Sequence, residues 1–388
     1  MSRPGTPLRF THVYLESWRN FTHVEADLGR RVVLVGPNAS GKTNLLDVFR
    51  FLRELCAGGF QAAVRRRGGV SRLRCLSARQ HSEVAIAFRV GADEGGPDWE
   101  YELRFAQESL KQPTITRERV TRAGEDVLVR PDERDERDPE RLTQTALEQL
   151  HSNREFRDLA EFFGAIRYAN SAPVLVREPR RPAHLPEDPF GGDLLERIGL
   201  ASESVQRARL RRILDVMQAA VPHLQALEFW RDPRGAPHLR ARYGHWRPAG
   251  AWQTEHQFSD GTLRLLALLW EALDGAGLLL LEEPEISLHP KVVRELLPIL
   301  ASVQRRTHRQ VFLTTHSKEL LAGDRLTAGE ILLLIPHEEG TEVRPAFSVE
   351  DAPALLDGCL RSEAAGAAVD ENQLDLFGPA SAAPDAEA

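Results

Sequence analysis

The chain has 388 residues with 57 acidic against 50 basic side chains, a net charge of −7, so its overall charge gives no general electrostatic case for nucleic acid. No apolar run approaches the roughly eighteen residues that cross a bilayer, and Met1–Phe10 carries no signal-peptide core, which excludes an integral transporter within this sequence. Cys56, Cys75 and Cys359 have neither disulfide-framework nor zinc spacing. The expectation is therefore a soluble enzyme of the reducing cytoplasm, long enough for a large core and more than one subdomain.

In chain order, Leu15-Glu16-Ser17-Trp18-Arg19-Asn20-Phe21 precedes the apolar run Val32-Val33-Leu34-Val35, which reads as a buried strand. Gly36-Pro37-Asn38-Ala39-Ser40-Gly41-Lys42-Thr43 follows and fits GxxxxGK[ST], and Asn44-Leu45-Leu46-Asp47-Val48-Phe49 opens a helix behind it. That strand–loop–helix order is what a phosphate loop needs. Backbone N–H groups from Gly36 to Asn44, Pro37 excepted, are predicted to point at phosphates, where the helix dipole also favours negative charge. Lys42 reaches the β- and γ-phosphates, and the Thr43 hydroxyl suits Mg²⁺. Of 50 lysines and arginines, Lys42, Lys111, Lys291 and Lys318 are the lysines, so 46 are arginine. A chain that writes nearly every cation as arginine keeps lysine in this loop, where a planar guanidinium would not replace a point charge.

The next stretch reads as an insertion. Arg65-Arg66-Arg67, Arg72, Arg74 and Arg79 form one basic segment, and Arg207, Arg209, Arg211 and Arg212 form a second on a helical pattern with Leu210, Ile213, Leu214 and Met217. Either could track a nucleic-acid backbone, although an arginine-rich solvated face is the plainer account. His81–Val90, Trp99–Ala106 and Thr114–Arg122 alternate in polarity and predict antiparallel strands. Arg130–Arg141 is a charge run with two prolines, predicted as loop, and helical patterns cover 142–163 and 193–220. Sustained heptads are absent, so no long coiled-coil arm is expected.

Beyond residue 250 the chemistry resumes. Phe258-Ser259-Asp260-Gly261-Thr262 opens a helix to Leu273, with Leu263, Leu266, Ala267, Trp270 and Leu273 at helical spacing. Ser259 suits an N-cap, and a capped N-terminus also suits an anion. Leu278–Leu281 is a short apolar strand ending in Glu282 and Glu283, at the edge where open α/β sheets bind ligands. Adjacent strand residues face opposite ways. Glu282 is assigned to Mg²⁺, and Glu283 to orienting or deprotonating the attacking water. Pro284-Glu285 also suits an acidic helix start. His316 ends the strand-like Gln310–Thr315 and is placed to donate a hydrogen bond to a γ-phosphate.

Together these residues resemble the ABC-type ATPase head of the structural-maintenance-of-chromosomes (SMC), RecF-like and OLD group. Gly36–Thr43 resembles its Walker A loop, Phe258–Thr262 its signature motif, Leu278–Glu283 its Walker B strand with the catalytic glutamate, and His316 its switch histidine. Asn20-Phe21 resembles its lead-in to the first phosphate strand, and Glu282–Pro290 is closest to the stand-alone OLD-related ATPases. Two departures, Ser259-Asp260-Gly261-Thr262 for the transporters' signature and Glu282 for the usual aspartate, both suit the RecF/OLD branch. The family's Q-loop glutamine has no discriminating context; Gln61 and Gln80 are candidates.

The resemblance implies an α/β P-loop NTPase, an ABC-type ATPase head split by an α+β insertion. Residues 1–90 and 251–350 form its halves, and 91–250 the insertion. It also implies ATP and Mg²⁺, catalysis through Lys42, Glu283 and His316, and an ATP-dependent homodimer in which Ser259 and Gly261 meet the partner's nucleotide. The Ala-, Pro- and acid-rich tail (362–388) is expected to be disordered. Inside it, Gln373-Leu374-Asp375-Leu376-Phe377 resembles the peptide by which bacterial replication and repair proteins dock on the β sliding clamp. The sequence thus reads as a cytoplasmic ATPase acting on or near DNA. The alternatives are an anti-phage defence ATPase that governs a separate nuclease, and an ATP-gated scaffold with little turnover.

Overall fold

The computed structural model describes residues 7–75, 83–92, 98–108, 111–177, 188–244, 251–322 and 326–349. Gln80, Arg79 and the tail peptide Gln373–Phe377 lie outside them. Two long strands, β1 (Leu8–Trp18) and β2 (Phe21–Asp27), form a hairpin ahead of the short, fully buried β3 (Arg31–Val35). The phosphate-loop helix, Lys42–Gly58, follows β3. Next come β4 (Glu83–Ala92), β5 (Trp99–Ala106), β6 (Thr114–Arg122) and β7 (Glu125–Arg130). They extend the hairpin into a six-stranded antiparallel sheet in the order β2-β1-β4-β5-β6-β7. Alternating polarity builds it: on β5, Trp99, Tyr101, Leu103 and Phe105 are buried, while the intervening Glu100, Glu102, Arg104 and Ala106 are less so. β4 runs through residue 90, pairing with β1 on one side and β5 on the other.

The short β8 (Arg167–Ala169) leaves this region for a second sheet. A smaller three-stranded sheet of β9 (Leu224–Arg231), β10 (Pro237–Tyr243) and β11 (Ala251–Thr254) intervenes. The chain then supplies β12 (Leu278–Glu282), β13 (Gln310–Thr315), β14 (Ile331–His337) and β15 (Gly340–Pro345). The central sheet has the order β15-β14-β3-β13-β12-β8, parallel except at β15. It is covered on both sides, hence its near-continuous apolar strands. Val32, Leu34, Leu278, Leu280 and Phe312 face the Lys42–Gly58 helix and the antiparallel sheet. Val33, Val35, Leu279, Leu281, Val311 and Leu313 face the Pro290–Thr307 helix. A third core joins the helices Leu194–Leu200, Glu203–Ala220 and Asp260–Leu273 to the small sheet.

Three expectations need correction. The charge run Arg130–Arg141 is not simply loop. It holds a short Glu133–Arg137 helix started by an Asp132/Asp135 capping box, and Arg130 is buried between the carboxylates of Glu118 and Asp135. The helical pattern over 142–163 becomes a regular helix only at Arg157–Gly164. Upstream, backbone donors are taken by side chains: Glu118 accepts from Ala146 N–H, and Glu148 from Thr145 N–H. Those bonds compete with a helical ladder. Finally, part of each basic segment is spent inside the fold. Arg67 is buried against Asp47 and Glu54, and Arg209 pairs with Asp274 over the Trp270 ring. Arg65, Arg72, Arg211 and Arg212 remain exposed.

Candidate functional site

The phosphate loop bridges the end of β3 and the Lys42–Gly58 helix, and two of its glycines are sterically required. A Cβ on Gly36 would lie 2.6 Å from Ser40 Oγ and 2.7 Å from the Leu334 carbonyl. Gly41 has φ 98°, and a Cβ there would collide with the Asn20 side chain. Asn20 holds the loop in shape. Its amide donates to the Ser40 carbonyl at 2.9 Å and to Thr341 Oγ1 at 2.8 Å, and its carbonyl accepts from Asn44 Nδ2 at 2.8 Å. The lead-in asparagine is therefore a brace between the loop and β15. Lys42 is buried, with Nζ donating to the carbonyls of Gly36 and Pro37 at 2.8 and 2.9 Å. The ammonium is thus held over the loop that phosphates would enter. Pro37, Asn38 and Ala39 form its outer turn, with Ala39 at φ 61°.

At the C-terminal edge of the central sheet, Glu282 is gripped from both sides. The Thr43 hydroxyl donates to Oε1 and the Tyr168 phenol to Oε2. Tyr168 was not singled out in the sequence. It sits on β8, in register with Leu280, with the Arg50 guanidinium 4.1 Å above its ring. Burial and the Glu282 carboxylate push its phenol pKa up, so it acts as a donor. A lone tyrosine in a three-residue strand gives little warning of this role.

Glu283 turns away from Glu282 with φ 43°, its N–H donating to Thr314 Oγ1 at 3.1 Å. Its carboxylate meets His316 Nε2 at 3.1 Å. That hydrogen bond holds the Glu283 pKa below the usual carboxylate range against the opposing effect of burial, with His316, Lys42 and Arg264 adding attraction. Glu285 does not cap a helix. Its Oε1 accepts from Thr315 Oγ1 at 2.5 Å and from the His316 N–H at 3.1 Å. It pins the end of β13 and hence His316, while burial pushes its own pKa up.

Ser259 caps the Asp260–Leu273 helix, accepting the Thr262 N–H at 3.2 Å. It remains exposed, as an anion site would require. A Cβ on Gly261 would lie 2.5 Å from the Ser287 carbonyl, so glycine lets this helix close on the loop behind Glu285. Arg177, which sequence reasoning missed, donates to the Phe258 carbonyl at 2.7 Å and to Asp260 at 2.6 Å. Gln61 has no visible nucleotide role, since its amide donates to the carbonyls of Pro113 and Thr143.

A loop shaped for phosphates beside Thr43, Glu282, Glu283 and His316 is the anatomy of a nucleoside-triphosphate site. Residues 31–322 match the family described as "AAA domain, putative AbiEii toxin, Type IV TA system". The chain belongs to this AAA-domain family. No curated protein matches. Among solved structures, this AAA-domain chain resembles an SMC head bound to the C-winged helix domain of ScpA, with 15% identity and a TM-score of 0.53, over 87% of this chain and 97% of that one. It also resembles the Pyrococcus yayanosii SMC head with a coiled coil and joint, with 11% identity and a TM-score of 0.52, over 90% and 99% of the two chains. A third likeness is the Pyrococcus furiosus SMC head with an extended coiled coil, bound to the C-terminal domain of ScpA, with 13% identity and a TM-score of 0.50, over 87% and 96%. The fold of this AAA-domain protein is therefore that of an SMC-like ATPase head. Among the described residues no helix is long and apolar enough to cross a membrane.

Proposed function

We propose that this chain binds and hydrolyses ATP and acts in the cytoplasm on or near DNA, as a dimer with composite nucleotide sites. The observation that carries the ATPase reading is the pairing of Glu283 with His316 at 3.1 Å, beside a Thr43–Glu282 contact that ties the phosphate loop to β12. Gly36–Asn44 would cradle the phosphates, and Lys42 would neutralise the γ-phosphate. The donor set fits magnesium, since a hydroxyl and a carboxylate already converge. Thr43 and Glu282 would hold Mg²⁺, which supplies charge neutralisation at the phosphates when bound. Glu283, kept anionic, accepts the proton of a water in line with the γ-phosphate, and His316 steadies that carboxylate.

Changing Glu283 to Gln should lower hydrolysis by about two orders of magnitude or more with ATP affinity nearly intact, whereas Lys42→Ala should lose affinity. Turnover of the Glu283→Gln protein close to that of the parent would remove Glu283 from its role.

The DNA-linked reading is favoured by the SMC-like head and by the tail peptide Gln373–Phe377. Leu376 and Phe377 would fill an apolar pocket on the β sliding clamp, with Gln373 at its rim. A peptide spanning Asp370–Pro379 should bind the clamp in roughly the micromolar range, and replacing Leu376 and Phe377 by Ala should erase detectable binding. Equal affinity of the two peptides would make the resemblance accidental. The second reading is a defence ATPase that governs a separate nuclease. The family's description, which names a toxin of a toxin–antitoxin system, favours it.

A further inference from the structure

On the small sheet, well along the chain from the phosphate loop, one buried carboxylate faces two imidazoles. Glu255 is fully buried. Its Oε1 lies 2.7 Å from His238 Nδ1 and 3.3 Å from His256 Nε2. Its Oε2 accepts the Leu239 N–H at 3.0 Å, which fixes the carboxylate plane. Among the described residues the ion-pair partners of Glu255 are these two histidines. A buried carboxylate facing no fixed cation is costly.

We propose that His238, Glu255 and His256 form a binding site for a divalent transition metal of the zinc class. The donor set is two imidazole nitrogens and one carboxylate oxygen, mutually within 4.8 Å. That is the composition of three-ligand zinc sites, which keep the fourth position for water. Ligands about 2.1 Å from a tetrahedral ion stand about 3.4 Å apart. The His256–Glu255 spacing already matches, and the His238–Glu255 contact widens by about 0.7 Å on ligation.

The surroundings of His238 are those a ligand needs. Its ring stacks against Trp230, the residue opposite on β9, with centroids 5.2 Å apart. With Nδ1 turned to Glu255, its Nε2 faces Asp232 Oδ2 at 3.9 Å. Asp232 is itself fixed by the N–H groups of Arg234 and Ala236. A carboxylate behind the second ring nitrogen is the usual outer partner of a metal-bound histidine. His256, half-exposed at 51%, opens the site to solvent. Glu255 and His256 form the turn that runs into Phe258 and Ser259, so ligation would lock the approach to the signature helix.

The test uses the full chain, stripped with a chelator and returned to buffer with excess Mg²⁺ to saturate the phosphate-loop site. Cobalt titration should give the visible absorption of a four-coordinate ion, one equivalent per chain, displaced by zinc. Metal analysis after zinc loading should give one zinc per chain. His256→Gln, an exposed change that preserves the fold, should reduce both signals at least tenfold, and His238→Gln should do the same. His316→Gln should leave them intact. Absent saturable binding, or binding that survives His256→Gln and vanishes with His316→Gln, overturns the proposal.

Discussion

Tyr168 and Thr43 hold opposite oxygens of one carboxylate, so Glu282 is oriented before any ion arrives. Such outer contacts set the direction of a metal ligand's lone pairs, and losing one typically costs about 10- to 100-fold in metal affinity or activity. Tyr168→Phe keeps the ring beneath Arg50 and removes the donor. It should raise the Mg²⁺ concentration for half-maximal ATP hydrolysis about tenfold, while nucleotide affinity without Mg²⁺ stays unchanged. Magnesium titration of steady-state turnover reads the first, and fluorescent-nucleotide binding in chelator reads the second. An unchanged magnesium profile would reduce Tyr168 to a packing residue. At this scale the sequence was partly legible. Gly36, Gly41, Lys42 and Thr43 stand out because a contiguous motif encodes a contiguous loop. Tyr168 and Arg177 were missed and Glu285 was read as a helix start, because their partners lie about thirty to over a hundred residues away, and no local pattern records a long-range contact.

The helix Leu194–Leu200 shows how charge knits elements together. Arg197 on it pairs with Glu271 of the signature helix and with Asp193, and Glu271 also receives Arg167 from β8. Asp193 starts that helix, and burial, with the Glu271 charge nearby, pushes its pKa from 3.8 up to about 6. Between those two values the folded protein holds a proton that the unfolded chain has released. Stability contributed by Asp193 is therefore present below the unfolded value and falls as pH rises towards about 6. Asp193→Asn should remove that slope. Urea midpoints measured from pH 4 to 8 should show the parent losing ground to the variant as pH rises, with a constant difference above 7. A parent that instead gains on the variant over that range would refute the assignment. Element boundaries were legible where polarity alternates, as on β5 and β6. They were illegible around residues 142–156, where Glu118 from β6 and the local Glu148 take backbone donors.

At the scale of the whole molecule, the signature helix and the phosphate loop lie on separate segments, and Ser259, bonded to Thr262 of its own helix, is exposed. In the composite arrangement proposed above, Ser259 and Gly261 would face nucleotide held by a second copy. With ATP and Glu283→Gln, light scattering should show a dimer. Adding Ser259→Arg should abolish it by placing a bulky side chain at the contact, with ATP binding to the monomer unchanged. A Ser259→Arg protein that dimerises normally would leave Ser259 as a helix cap alone. The fold class was legible because four motifs occur in the order that an SMC-like head requires. The joining of the expected antiparallel strands to the β1–β2 hairpin was not, because long-range strand pairing leaves no mark in local composition.

The order of strands in the central sheet also sets a timetable for biosynthesis. β3, which carries the phosphate loop, is flanked by β13 and β14, and both are synthesised after residue 309. When β3 leaves the ribosome, its neighbours on either side have yet to be translated, so this apolar segment lacks its native partners until β13 is made. Non-local pairings of this kind slow folding and expose strand edges to aggregation. The sheet that frames the phosphate loop is accordingly completed long after the loop's own motif is translated. A growing chain thus cannot close the sheet around its phosphate loop until residue 333 has been made.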